Sequence, residues 1–389
     1  MKVRVHQTID EINAGEWNRL AGDDPFLQHE FLAALEHSGS ACATSGWQPQ
    51  HLTCTDASGR LIGALPLYLK SHSFGEYVFD WAWADAWQRA GLPYYPKLTS
   101  AIPFSPVSGR RLLIDAAAES TVISHALITN GIELADSLQA SSLHCLFPRE
   151  PELQNWIQRG FLLRKDCQYH WHNHGHNDFE TWLATFKAAK RKKVHRERRR
   201  IREAGIQFNF LSGGELDNSL LDAVYTFYAD TYLKRGRTPY LTPAFFSEVA
   251  RTMPAALTVI MAWYQREPVA AAICFRNQHT LFGRHWGCGP EFHSLHFETC
   301  YYQGIDYCLT NGLTSFNPGT QGEHKLARGF EPVASWSAHW IADPPFRQAV
   351  ADFLKRETAM VDAYIDDAKR HLPFHELNDS EGSPDHGLQ

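Results

Sequence analysis

The stretch FNPGTQGEHKLARGF, residues 316–330, gathers Glu323, His324, Lys325 and Arg328 in a glycine-rich bend. These side chains suit two kinds of chemistry. Lys325 and Arg328 stand one helical turn apart if the bend is helical, so both can meet one anion. Glu323 or His324 can accept the proton that an attacking ammonium must lose. Glycine lets the backbone approach a ligand closely. The plainer reading is a solvated loop held by glycine turns.

Three further groups carry chemistry. GRHWG, residues 283–287, closes an expected strand. Strand alternation puts Arg284 and Trp286 on one face and His285 on the other. Trp286 can wall a pocket and Arg284 can hold a carboxylate or phosphate; a core tryptophan beside a capped arginine is the alternative. In the helix that follows, Glu298, Tyr302 and Asp306 make a polar stripe at i, i+4 and i+8, beside an apolar stripe of Phe297, Tyr301, Ile305 and Cys308. A polar stripe ordinarily faces solvent, and Glu298, in the first turn, is its site candidate. Between Lys187 and Arg202 the chain carries ten Lys and Arg. Phe179, Trp182, Leu183, Phe186, Val194 and Ile201 anchor that helix on one side. Lys190, Arg191, Lys192, Arg196 and Arg199 form a ridge fit for phosphates or RNA, with salt-sensitive binding, unless it is only a solvated face. His170, His172, His174 and His176 share a face if their strand continues, a spacing that can bind zinc or copper. Gly175 breaks that strand and no Cys or carboxylate cluster pairs with the row, so no metal site is assigned.

These groups need a scaffold. At 389 residues the chain exceeds one ordinary core, which predicts two domains. Apolar residues at 44% and aromatics at 13% suffice to fill them. The net charge of −6 argues against bulk nucleic-acid binding by the whole protein. No apolar run is long enough to span a membrane, and the N-terminus lacks a signal-peptide h-region. The eight cysteines form no CxxC pair and sit mostly in apolar surroundings, which predicts reduced thiols in a cytoplasm.

The pattern of elements repeats. In the first part KVRVHQTI reads as a strand and DEINAGEWNRLA and HEFLAALEHSG as helices. QHLTCTD and LIGALPLYLK form a hairpin about ASGR, and a helix over Glu119–Ser137 precedes the strand LHCLF. In the second part QYHWHNH is a strand, and one long helix is expected from Asp178 to Ala204 with Asp178 as N-cap. IQFNFL is a strand; helices follow near Glu215–Lys234 and Pro243–Thr252. ALTVIMAWY, PVAAAICFR and HTLFGRHWGC make three consecutive strands, and a helix near Leu295–Leu309 and the strand LTSFN lead to the opening motif. This α+β order predicts a duplicated architecture: residues 1–155, residues 156–372 with the basic helix 178–204, and a polar, disordered tail 373–389.

GRHWGC, HSLHFETCYYQGIDYCLTNGLTSFNPGTQGEHKLARGFEP, PFLQHEFLAALEHSG, YYPKLTSAIPFSPVSGRRLL and YHWHN together resemble the FemAB-like proteins of peptidoglycan biosynthesis, within the GNAT acyltransferase superfamily. The resemblance runs over residues 1–370. It implies two tandem GNAT-like domains, each a mixed, mostly antiparallel sheet flanked by helices. It implies transfer of an acyl or aminoacyl group to an amine on a small molecule or peptide, such as a cell-wall precursor. No tightly bound cofactor is implied; the donor is an aminoacyl-tRNA, as for the better-known Fem transferases, or an acyl-CoA. The Fem proteins also place a lysine and a Gly-Phe pair for substrate contact here, which adds Lys325 and Phe330 to the site, with Tyr302 beside them. GCGPEFHSLHFE lacks the (Q/R)xxGx(G/A) loop by which acetyl-CoA users present backbone N–H groups to pyrophosphate. That departure favours an aminoacyl-tRNA donor or an unusual acyl donor. A non-catalytic module that binds a cell-wall precursor or RNA is the other reading.

Overall fold

Two pairs of parallel strands organise the chain in the computed structural model, which describes residues 1–320 and 322–375. In the first part, strands β1 (Lys2–His6), β2 (Trp47–Pro49), β3 (His51–Thr55), β4 (Leu61–Leu65), β5 (Tyr68–Lys70), β6 (Lys97–Ser100), β7 (Leu113–Ile114) and β8 (Ser142–Leu146) alternate with helices α1 (Ala14–Ala21), α2 (His29–His37), α3 (Trp81–Arg89) and α4 (Ser120–Ser137). A short helix α5 (Leu153–Ile157) covers the expected boundary. In the second part the strands are β9 (Leu162–His172), β10 (Gln207–Ser212), β11 (Leu257–Tyr264), β12 (Glu267–Arg276), β13 (Thr280–Cys288), β14 (Ser315–Asn317) and β15 (Glu331–Ile341). The helices are α6 (Phe179–Ala184), α7 (Ala188–Glu203), α8 (Asn218–Leu233), α9 (Pro243–Thr252), α10 (Leu295–Phe297), α11 (Gln303–Thr310) and α12 (Pro344–Arg370).

β6 pairs in parallel with β8 after a crossover through α4, and β13 pairs in parallel with β14 after a crossover through α10 and α11. Every other named pair is antiparallel. The halves share one eleven-stranded sheet in the order β10-β11-β12-β13-β14-β9-β15-β8-β6-β5-β2, beside a four-stranded sheet β1-β3-β4-β7. β15 is the seam: it pairs with β9 from Glu331↔His170 to His339↔Leu162 and with β8 on its other edge. The architecture is α+β: mixed, mostly antiparallel sheets flanked by helices, with one sheet running through both halves where a separate sheet in each was expected.

The expected helix over 178–204 is two helices. Asp178 caps the first as predicted, accepting from Thr181 N in a capping box. The helix then stops because Phe186 turns fully inward and its neighbours bond elsewhere. Phe186 bridges to Phe374, and Lys187 N donates to the Pro373 carbonyl at 2.8 Å. Pro373 to His375 are therefore packed onto this junction; the remainder of the tail expected to be disordered lies outside the described residues. α7 restarts on Ala188 and Ala189 and continues through Lys, Arg and Glu, all strong helix formers. Among the described residues no helix is long and apolar enough to cross a membrane.

Candidate functional site

β13 and β14 stay together only over Thr280–Phe282 and Ser315–Asn317. Residues 283–288 of β13 run on without β14, so the strands part at their C-terminal ends. Packing holds β13 against α8 on one side: a Cβ on Gly287 would lie 1.7 Å from the Phe227 carbonyl oxygen, so only glycine fits there. After Asn317 the chain turns at Gly319 and Gly322, both at positive φ, and enters a single 3₁₀ segment, Glu323–Arg328, that ends at left-handed Gly329. That is the structural use of the glycines in the opening motif.

The 3₁₀ turn sends its four ionisable groups in different directions. Lys325 points inward and is only 2% exposed; its Nζ donates to the Gly319 carbonyl at 2.6 Å. Arg284 reaches the same place, since a Cβ on Gly319 would lie 3.9 Å from Arg284 Nη1. Burial pushes the Lys325 ammonium down to about 7, with Arg284 adding to the effect; the Cys300 thiol acts the other way. A buried ammonium with a carbonyl partner but, among the described residues, no carboxylate is an unfilled demand for negative charge.

Arg328, also buried, turns the other way. Its Nη2 donates to both Glu197 oxygens at 3.0 Å, Nη1 donates to the His324 carbonyl at 2.9 Å, and the guanidinium lies 3.4 Å from the Phe297 ring centroid. Tyr302 OH donates to the same Glu197 carboxylate. Glu323 is exposed and accepts from Tyr364 OH at 3.0 Å. His324 is exposed too, bonded through Nε2 to Tyr301 OH at 2.8 Å and flanked by Phe297 and His296. Partial burial, Arg328 and Lys325 hold its pKa below the ordinary histidine value.

The helix after β13 departs from its expected solvated stripe. A π-turn occupies Glu298–Tyr302, a feature that often marks functional sites, and Glu298 and Tyr302 are buried. The reason is α7, which packs across them: Arg198 bonds Glu298 at 3.2 Å and pairs with Asp306, while Gln303 donates to Glu298 at 2.8 Å. Burial pushes the Glu298 carboxyl up, opposed by Arg198. Glu298 thus belongs with α7 and Arg328, not with Arg284.

β13 also corrects the expected alternation. A bulge opposite Ile273 and Cys274 inserts Arg284 as an extra residue. Arg284 and His285 therefore line one small apolar cavity of about 10 Å³, with Phe26, Phe31, Phe104 and Phe245, where the two halves meet. Arg284 Nη2 donates to the Phe104 carbonyl at 3.3 Å, and His285 packs on Tyr228 with ring centroids 4.8 Å apart. That volume holds about one water, so the halves are closed together here. Trp286 faces the other core, 5.3 Å from His296. Phe330 is fully buried against Phe316 and Tyr301.

Lys190, Lys192, Arg196 and Arg199 are exposed on α7. Arg191 instead donates to the Ala184 and Phe186 carbonyls at 3.3 Å and closes the end of α6. The histidine row ends with β9 at His172; His174 bonds Glu331 at 2.8 Å. Among the described residues no group of three or more His, Cys, Asp or Glu could hold a metal. Sequence reasoning gave Glu197 no role. Its signal was available: it is an acid inside a basic run, three residues after Val194 and four before Ile201, on the buried face.

A family model described as peptidoglycan biosynthesis/recognition, FemAB-like, matches residues 8–376, and the chain belongs to that family. The description of that family names both biosynthesis and recognition of peptidoglycan. Among solved structures, FemX is 12% identical, covering 90% of this chain and all (100%) of its own, at TM-score 0.54. The C-terminal domain of a putative lysylphosphatidylglycerol synthetase from Agrobacterium fabrum is 10% identical, with 91% and 97% covered, at TM-score 0.53. L-PGS from Bacillus licheniformis is 11% identical, with 85% and 97% covered, at TM-score 0.52. At such identities these likenesses speak for the fold. No curated protein matches the chain.

Proposed function

We propose that the protein transfers an aminoacyl group from an aminoacyl-tRNA to an amine on a peptide or cell-wall precursor, in the cytoplasm. The observation that carries this reading is Lys325: a buried ammonium with no acid partner among the described residues, beside Arg284, where β13 and β14 part. An anionic group of donor or acceptor restores its charge, and the same ammonium steadies the oxyanion formed when the amine attacks the ester carbonyl. His324, exposed on the same turn with its pKa held below the ordinary histidine value, is the better-placed group to take the proton from the attacking ammonium; Glu323 is engaged by Tyr364. The exposed face of α7 offers phosphate contacts to the donor RNA. Its inner face meets the Lys325 turn through Glu197 and Arg328, so donor and turn lie on two sides of one helix. FemX and the lysylphosphatidylglycerol synthetase, which share this fold, lend the aminoacyl reading support by their names.

The test is a transfer assay with labelled aminoacyl-tRNA or acyl-CoA against a panel of amine acceptors, with Lys325→Ala in parallel. Product from charged tRNA that disappears in the variant is expected. Product from acyl-CoA alone replaces the donor. Binding of a precursor or RNA without product from either donor makes the protein a recognition module.

A further inference from the structure

A second buried cation cluster lies in the first half, roughly 19 Å away if the four strand steps from β14 to β6 are each about 4.8 Å. On one face of the sheet, Lys70 stands directly opposite Lys97, and Tyr68 opposite Thr99. Thr99 is in register with His144, and His144 with His339. Both lysines are fully buried. Like charges directly opposite one another on neighbouring strands destabilise a sheet, and a covered sheet face is normally apolar.

Residues 71–95 cover the Lys97 side of this face, and Gly46 and Trp47 cover the Lys70 side. From the 71–95 segment Ser73 and Glu76 each accept from Lys97 at 2.8 Å, and Asp80 pairs with Lys97 as well. Tyr94 OH donates to Asp80 at 2.6 Å, and Trp83 packs on both histidines. Lys70 is served less well. It donates to the Gly46 carbonyl at 2.9 Å, lies over the Trp47 ring, and is 4.0 Å from Glu76 Oε1. Tyr68 OH, Thr99 Oγ1, Glu76 Oε1 and Asp80 Oδ1 are all buried without a hydrogen-bond partner among the described residues. The strands thus present two cations and two idle hydroxyls, and the segment's carboxylates satisfy them only in part. The segment bends at Gly75 and Tyr77, both at positive φ, and turns Phe74, Phe79 and Trp81 outward, 50%, 56% and 43% exposed.

We propose that this sheet face is a second binding site, for a phosphate dianion, free or as an ester, and that residues 71–80 close it by offering Glu76 and Asp80 in the anion's place. Four oxygens on one small centre can meet Lys70, Lys97, Tyr68 and Thr99 together, which two carboxylates tethered to a loop do not. Binding then displaces the loop. The site does not depend on the transfer reading.

The test follows amide exchange of residues 71–95 in the full-length protein, in millimolar inorganic phosphate against chloride at equal ionic strength. Faster exchange in that segment with phosphate is expected. Glu76→Gln should tighten phosphate binding by about tenfold, because the closed state then competes less well. Lys97→Met should abolish the response; should that variant not fold, wild type and Glu76→Gln still decide. Phosphatidic acid vesicles run alongside distinguish a lipid headgroup from a free ion: a response to either supports the site. No change in wild type and Glu76→Gln with either probe overturns it.

Discussion

Each half of the molecule buries a lysine whose pKa falls to about 7, Lys70 in the first and Lys325 in the second. Burial is the leading cause in both. The surroundings differ. Beyond Ser100 the first parallel pair is stitched shut by its own chain: Gly109 N donates to the Phe147 carbonyl at 3.0 Å, and Arg149 N to the Gly109 carbonyl at 3.1 Å. Arg111 fills the remaining space, donating to the Leu146 carbonyl at 2.8 Å and the Val107 carbonyl at 2.6 Å. Among the described residues the second pair has no such stitch; its strands part, and Lys325 and Arg284 stand there without a carboxylate. Lys70 has Glu76 nearby, itself pushed up to about 6 by burial. The same crossover thus yields a closed core in one copy and an unsatisfied cation in the other. What the chain does beyond the paired strands decides which.

That contrast can be broken at its supports. The largest expected effect is at Glu197. Removing it leaves Arg328 buried without its carboxylate, and breaking a buried pair in this way costs about 3–5 kcal/mol. Glu197→Ala should therefore fall by that much in urea unfolding; an unchanged midpoint would mean the turn is held by packing alone. Next is Lys325→Ala. Loss of one oxyanion contact costs about 2.7–4 kcal/mol, or roughly 10²–10³ in rate, so transfer should collapse while the melting temperature holds. A variant with wild-type turnover would make the second half's lysine as inert as a core residue.

The pH dependence sharpens the comparison. Lys70 and Lys325 both have folded pKa values below the ordinary lysine value of 10.5. Between about pH 7 and 10.5 the unfolded chain holds protons that the folded one has released, so stability contributed by these groups rises with pH across that window and is lowest below 7. Each such proton gives a slope of about 1.4 kcal/mol per pH unit. Lys325→Met should remove one of the two slopes and be no less stable than wild type at pH 7. For activity the sign is opposite. If Lys325 must be charged to hold an anion, kcat/KM falls above about pH 7; a rise there would make it the base. The smallest effects belong to the exposed face of α7. Replacing Lys190, Lys192, Arg196 and Arg199 with Ala should cost less than about 1 kcal/mol each and lower retention on heparin and tRNA with a shallower salt dependence. Unchanged retention would reduce that face to a solvated one.

Local signals in the chain determined much of this protein. Period-two and period-3.6 patterns placed most strands and helices, because those elements bury one face each. Asp178 announced its helix through its capping chemistry, and the family motifs announced the fold. The run 316–330 singled itself out by type and spacing. Tertiary structure decided the rest. The break at Phe186 depends on Phe374, 188 positions later, taking its backbone partner. The bulge that turns Arg284 toward His285 exists only in the register of β12 with β13. The polar stripe of Glu298 and Tyr302 looked solvated because its partners, Arg198 and Glu197, lie about a hundred residues upstream on α7. Lys70 and Lys97 gave no sign of their pairing, since 27 positions separate them and only strand register sets them face to face. Amphipathic spacing reports that a face is covered; what covers it, and so which charges meet, is settled only when distant segments pack.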